Sequence, residues 1–323
     1  MTQDAPIPRP PFDADIERVL PSITSAVPSS ITPDMIAELR SSTAPTPVEE
    51  LLAGRDVSWR EQTILIGDPG VEVAIGIFAP RQMVEPRPAV YWLHGGGMFM
   101  GTAYSGADLL IDWVEVLSVV ALTIEYRLAP EHPDPIPLDD GFAGLVWAAE
   151  NASELGIDPS RLVVAGRSAG GGLAAGVALR AREAGPKLAG QLLICPMLDD
   201  RNDSLSARQY RGVGMWDQTS NDTGWTALLG ERRGTPAVSE FAAPARATDL
   251  SGLPPAFIDV GSAETFRDED VAYAESLWAA GVQAELHVWP GGIHGFDLFV
   301  PHAEISVLAK RARTDWLRRV IGS

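Results

Sequence analysis

The apolar run Leu162-Val163-Val164-Ala165 passes through Gly166-Arg167-Ser168-Ala169-Gly170 straight into a helix-forming stretch that ends near Ala184. A strand that turns into a helix over so few residues forces the central serine into an unfavourable backbone region. Glycines two residues to either side leave room for that turn. The serine oxygen is then held clear of the sheet, and G-x-S-x-G in this setting is the signature of a nucleophilic serine. A serine that merely caps the following helix would use the same residue. The turn by itself leaves both readings open.

On either side of this turn, apolar strands alternate with amphipathic helices. Strands are predicted over 89–93, 119–126, 162–165, 191–195, 256–260 and 284–289, and helices over 107–116, 138–155, 169–184, 269–280 and 303–321. Residues 63–66 and 71–78 alternate apolar with polar and read as an antiparallel edge pair. Units of this kind predict an α/β fold, a mainly parallel central sheet with helices on both faces, whose sites lie at the carboxyl ends of the strands. Two stretches break the rhythm. Residues 1–50 are rich in proline around two short helical patterns, 13–20 and 33–39, and read as a segment laid over the core. Residues 199–246 have few apolar runs and read as an insertion packed with that segment, leaving 51–198 and 247–323 as the two parts of the core.

The chain has 323 residues, 46% of them apolar, enough to bury a full core, and its formal charge is −18. A field of that sign repels phosphate backbones and anionic headgroups, so nucleic acid is a poor partner. Cys195 is the only cysteine, which excludes an intrachain disulfide and a cysteine-based metal cluster. No secretory leader is legible at the start, and the longest apolar stretch, 109–124, is interrupted by Asp112 and Glu115. These features predict a cytoplasmic protein without stable membrane insertion.

A serine nucleophile needs donors for an oxyanion and a base. His94-Gly95-Gly96-Gly97 follows the strand 89–93, and successive glycines let backbone N–H groups converge unobstructed; losing one such donor typically costs about 3 kcal/mol of barrier. A phosphate loop would continue with Lys-Ser or Lys-Thr, whereas Met98-Phe99-Met100 follows here, an apolar lining suited to an acyl group. Of the histidines at 94, 132, 287, 294 and 302, only His294 lies in a loop after the last strand, where the order serine, acid, histidine requires the base. For the acid, the loop after strand 256–260 offers Glu264, Asp268, Glu269 and Asp270, with Asp259 in the strand itself. Glu264 lies closest beyond the strand end, while 268–270 serve equally well as helix-start carboxylates.

With these residues assembled, the chain resembles the hormone-sensitive lipase-like esterases from about Pro88 to its end. His94-Gly95-Gly96-Gly97-Met98-Phe99-Met100-Gly101 matches that family's HGGGxxxG, Tyr126-Arg127-Leu128-Ala129-Pro130-Glu131 its YRLAPE, and His294-Gly295-Phe296 its final histidine element. The resemblance implies an α/β-hydrolase fold with a helical cap made from residues 1–50 and 199–246. It also implies a serine carboxylesterase needing no metal or organic cofactor, the amides of Gly96, Gly97 and Ala169 as oxyanion donors, and frequent homodimers. The family's DPLRDE run is met by Glu264-Thr265-Phe266-Arg267-Asp268-Glu269, which assigns the acid to Glu264. The chain departs from the family's GDSAGGN at Arg167 and Gly172. Arg167 either pairs with nearby carboxylates or offers its charge to an acidic substrate.

The expectation is acyl transfer on short- to medium-chain, small-molecule esters through Ser168, His294 and Glu264. Met98, Phe99, Trp216 and Trp225 are expected to line the acyl pocket. An amidase or deacetylase with the same triad, and a noncatalytic receptor on the same scaffold, are the alternatives.

Overall fold

The computed structural model describes residues 7–42, 46–67 and 70–322. Residues 1–6 and 43–45, part of the expected amino-terminal segment, lie outside these. Eight strands form one sheet: β1 (Val57–Ile66), β2 (Val71–Pro80), β3 (Arg87–Leu93), β4 (Val120–Ile124), β5 (Ile157–Arg167), β6 (Gly190–Ile194), β7 (Ala256–Gly261) and β8 (Ala284–Trp289). Their order is β1-β2-β4-β3-β5-β6-β7-β8. β2 runs antiparallel to β1 and β4, and the remaining neighbours are parallel.

The central strands carry apolar residues on both faces because helices cover both. Val163, Val164 and Leu192 are completely buried, whereas the edge strand β8 leaves Val288 exposed. The helices Ala107–Leu117 and Glu304–Ile321 and the helix pair Ile136–Glu150 and Ala169–Ala184 form the layers. The predicted helix over 138–155 is two pieces, Ile136–Glu150 and Ala152–Leu155. At the junction the Asn151 amide Nδ2 donates to the Trp147 carbonyl at 2.8 Å, so the side chain competes with the helix for its own acceptor. No helix among the described residues is long and apolar enough to cross a membrane.

The amino-terminal helix Ala14–Ala26 starts at Asp13, whose Oδ1 accepts from the Asp15 N–H at 2.9 Å. It continues past Pro21, beyond the predicted end at residue 20, because packing outweighs the lost donor. Ile16, Leu20 and Ile23 share a second small core with Met215, Ile293 and Phe296. The same segment is stitched to the 199–246 stretch: the Ile31 N–H donates to Ser220 Oγ at 2.8 Å, and Thr223 Oγ1 donates to the Ile31 carbonyl at 2.8 Å.

Glycines on the helix Ala169–Ala184 let it lie against neighbouring backbone. A Cβ at Gly176 would sit 2.1 Å from the Phe241 carbonyl oxygen, and one at Gly172 equally close to that of Met197. Gly176→Ala should therefore lower stability by about 1–3 kcal/mol through overpacking. Urea unfolding of the two proteins measures the loss; an unchanged midpoint would show that this backbone contact does not constrain the helix.

Candidate active site

Ser168 joins β5 to its helix at φ 56°, ψ −122°, and its side chain makes no helix-capping hydrogen bond. The capping use of this serine is thereby excluded. Both flanking glycines are required: a Cβ on Gly166 would lie 2.1 Å from the Gly170 carbonyl oxygen, and one on Gly170 2.1 Å from that of Leu93. Ser168 Oγ instead lies 2.9 Å from His294 Nε2.

His294 sits in the loop after β8, between Gly291 and Gly295, both at positive φ. Its Nδ1 is 2.6 Å from Glu264 Oε2. The other carboxylate oxygen of Glu264 accepts the Gly261 N–H at 3.0 Å, so the acid is tied to the end of its own strand. The competing carboxylates are engaged elsewhere or set back. Asp259 pairs with Arg313, Asp268 accepts the Ser206 N–H at 2.8 Å, and Glu269 accepts the Leu198 N–H at 2.8 Å. Asp270 is fully buried, and burial pushes its carboxyl and that of Glu269 well above the usual carboxylate range. Phe266 meets the His294 ring edge-on at 5.0 Å.

The glycine loop leaves β3 beside this chain. Gly96 has φ 128°, and a Cβ there would collide with the Met100 carbonyl oxygen at 2.0 Å; at Gly97, φ 60°, it would meet the Trp216 ring at 2.2 Å. The Gly96 and Gly97 N–H groups are not taken up by any backbone carbonyl among the described residues. Both glycines line the cavity that holds Ser168 and His294. His94 is a packing residue: its ring stacks on Tyr126 at 4.1 Å, its carbonyl accepts the Tyr126 hydroxyl, and burial pulls its imidazole down to about 4.

The cavity encloses about 230 Å³. Trp216 lines it, whereas Met98, Phe99 and Trp225 do not and are buried in the main core. The cause is local: the N–H groups of Phe99 and Met100 both bond the Gly96 carbonyl, closing a tight turn with Met98 at φ 70°. That turn sends Met98 and Phe99 inward and leaves Met100 at the cavity, with Phe99 stacked on Trp216 at 6.0 Å. Of the expected apolar run 98–100 only Met100 lines the cavity, and the apolar walls that the sequence reading missed are Val27, Ile31, Trp92, Met215, Leu298 and Phe299. Leu298 and Phe299, just after the His294 loop, were marked by their nearness to the predicted base. Met215 carried no comparable signal. A larger open groove of about 760 Å³ beside Phe12, Leu20 and Gly212 contains none of the three hydrogen-bonded groups.

Cys195, Glu264 and His294 bring possible ligand atoms within 4.8 Å of one another. Burial and the nearby Glu264 push the Cys195 thiol up, which disfavours a thiolate ligand, and the Glu264–His294 hydrogen bond already occupies the other two atoms. The arrangement suits proton movement between Ser168 and His294 better than metal ligation.

A family model described as the alpha/beta hydrolase fold matches residues 90–298. The chain is 35% identical over 299 residues to carboxylesterase NlhH of Mycobacterium tuberculosis, spanning 90% of this chain and 92% of that protein. It is 33% identical over 238 residues to esterase LipI of the same organism, 72% of this chain and 73% of that one. Among solved structures, a bacterial heroin esterase superposes with a TM-score of 0.87 at 35% identity, covering 97% of this chain and 98% of the other. The strand order, the glycine loop, the serine turn and these matches together make the chain a member of the hormone-sensitive lipase-like family of α/β hydrolases.

Proposed function

We propose that this protein is a carboxylic ester hydrolase in which Ser168, His294 and Glu264 act as nucleophile, base and orienting acid. The observation that carries the reading is the continuous chain from Ser168 Oγ to His294 Nε2 at 2.9 Å and from His294 Nδ1 to Glu264 Oε2 at 2.6 Å. Ser168 Oγ attacks the ester carbonyl while His294 Nε2 takes its proton, and Glu264 stabilises the imidazolium. The N–H groups of Gly96, Gly97 and Ala169 receive the oxyanion. His294 returns the proton to the departing alcohol, leaving an acyl-enzyme. Water, deprotonated by the same histidine, attacks that ester, and collapse releases the acid and frees Ser168. The similarity to a carboxylesterase and an esterase supports the same class of reaction.

Residues 7–42 and 199–246 act as a cap in this reading, supported by Val27, Ile31, Met215 and Trp216 at the cavity wall. A cavity of about 230 Å³ walled by indole, thioether and aliphatic groups favours short- to medium-chain acyl groups. A homodimer is supported by the unpaired outer edge of β8, which exposes Val288. A cytoplasmic location accords with a single, buried cysteine.

Ser168→Ala should abolish hydrolysis of p-nitrophenyl butyrate while leaving the circular dichroism spectrum unchanged, and retained turnover would overturn the reading. Glu264→Gln should lower kcat on the order of 10³-fold, since a neutral amide neither holds the productive tautomer nor stabilises the imidazolium. Across nitrophenyl esters of increasing length, kcat/KM should peak at about two to six acyl carbons and fall steeply for longer chains. A flat or rising profile would show that this cavity does not hold the acyl group.

A further inference from the structure

Arg167 is the residue of the serine turn to which the acyl-transfer steps give no part. Its side chain is 8% exposed, and Nη2 donates to Asp297 Oδ2 at 2.7 Å. Asp297 stands three residues beyond His294 and also accepts from Arg313 Nη1, on the closing helix Glu304–Ile321. Arg313 Nε donates to Asp259 Oδ2 at 2.9 Å, and Trp289 Nε1 donates to the same oxygen at 3.0 Å. Asp259 lies on β7, five residues before Glu264. Two guanidinium groups and two carboxylates thus alternate, Arg167, Asp297, Arg313, Asp259, with the side chains of the last three at most 1% exposed.

Burying four charges is costly, and apolar side chains of equal volume often serve stability as well or better. What such a chain supplies is fixed geometry, because separating opposite charges in a low dielectric is strongly unfavourable. Three of its four members belong to segments that the reaction needs: Arg167 to the serine turn, Asp297 to the stretch just after His294, Asp259 to the strand that leads to the acid. Burial would raise the Asp297 carboxyl, yet Arg167 and Arg313 hold it far below the usual carboxylate range. The pairing balances the charge of Arg167, whose Nε and Nη1 are buried without a hydrogen-bond partner.

We propose that Arg167 and Asp297 are positioning residues: their buried pair locks the His294 loop onto the Ser168 turn, and a substitution that unbalances the four charges changes the pH dependence of the reaction. This rests on the triad reading above. Other ionisable groups about His294 are Glu264 on Nδ1, the Cys195 thiol, Glu269 and Asp270 behind Glu264, and Arg267 paired with Asp268. Burial pushes Cys195, Glu269 and Asp270 toward their neutral forms, so the four-charge chain supplies the balance that a substitution can upset.

The test is the pH dependence of kcat/KM for p-nitrophenyl butyrate, whose acidic limb reports the base of the free enzyme. Arg167→Met removes a positive charge, favours the imidazolium and should move that limb to higher pH by about half a unit or more. It should also lower kcat about tenfold with KM little changed, as expected when reacting groups lose their alignment. Asp297→Asn removes a negative charge and should move the limb the other way, the double variant should bring it back toward wild type, and Arg167→Lys should restore most of the pH profile. If Asp297→Asn does not fold, Arg167→Met and Arg167→Lys decide the matter. A folded Arg167→Met enzyme with wild-type kcat and an unmoved limb overturns the positioning role, as do single variants that shift in the same direction. Hydrolysis that survives in Ser168→Ala overturns the triad reading itself, a result distinct from either.

Discussion

Ser168 is held at φ 56°, ψ −122°, a conformation an L-residue adopts only under compulsion, at a cost of about 1–3 kcal/mol. The surrounding backbone supplies the compulsion. The Ser168 N–H donates to the Ile194 carbonyl at 2.8 Å, and its own carbonyl accepts the Gly172 and Met197 N–H groups at 3.0 and 2.9 Å. These bonds reach into β6, the chain after it, and the helix at once. Relaxing the serine would break contacts on three sides. The two flanking glycines are consequences of the same turn, and so is the close packing of the helix Ala169–Ala184, which brings an N-terminal amide beside Ser168.

A second constraint comes from charge. Glu264 stands in a crowd of carboxyl groups, Asp259, Glu269 and Asp270, in a chain that carries −18 overall. Ionised together, they would repel one another. Burial pushes Glu269 and Asp270 toward their neutral forms, while Asp259 is neutralised by Arg313 at 2.8 Å. Of this group only Glu264 bonds His294 Nδ1. A mostly acidic protein places its few buried cations, Arg167 and Arg313, where they separate carboxylates that the fold brings close.

Legibility in the sequence followed the strictness of the physical demand. The serine turn, the glycine loop and the late histidine were readable because only glycine fits at Gly96, Gly97, Gly166 and Gly170, and because strand-to-loop order restricts the base to one place. Five of the eight strands were readable as largely apolar runs and the first two by alternation, while 284–289 carries Glu285 and His287 between its apolar residues. The acid was narrowed to a loop, since Glu264, Asp268, Glu269 and Asp270 differ in what their side chains reach and little in spacing. The cavity wall was read poorly: a turn of one residue decides whether Met98 or Met100 faces the cavity, and its φ of 70° at a non-glycine residue leaves no mark in composition. The partner of Arg167 lies 130 positions away, beyond any local pattern.

The same long-range contacts decide how the cover over the site is built. Residues 7–42 and 199–246 do not rest on the sheet as a separate layer; they are bonded to the loops that carry the acid and the base. Thr265 Oγ1, beside Glu264, donates to the Trp216 carbonyl at 2.6 Å, and Ser206 Oγ donates to the Thr265 carbonyl at 2.7 Å. On the other side the Asp13 N–H donates to the Gly291 carbonyl at 3.0 Å, and a Cβ on Gly291 would lie 2.2 Å from the Asp13 nitrogen. Arg40 reaches from the amino-terminal segment to the carbonyls of Phe99 and Ala129 and to Glu131, fixing the glycine loop from above. Each of these three loops is therefore tied both to the strand it leaves and to residues 7–42 or 199–246. In the ester-hydrolase reading proposed above, a displacement of these segments would also disturb the glycine loop or the Glu264–His294 bond, which ties selection by size to the alignment of the reacting groups.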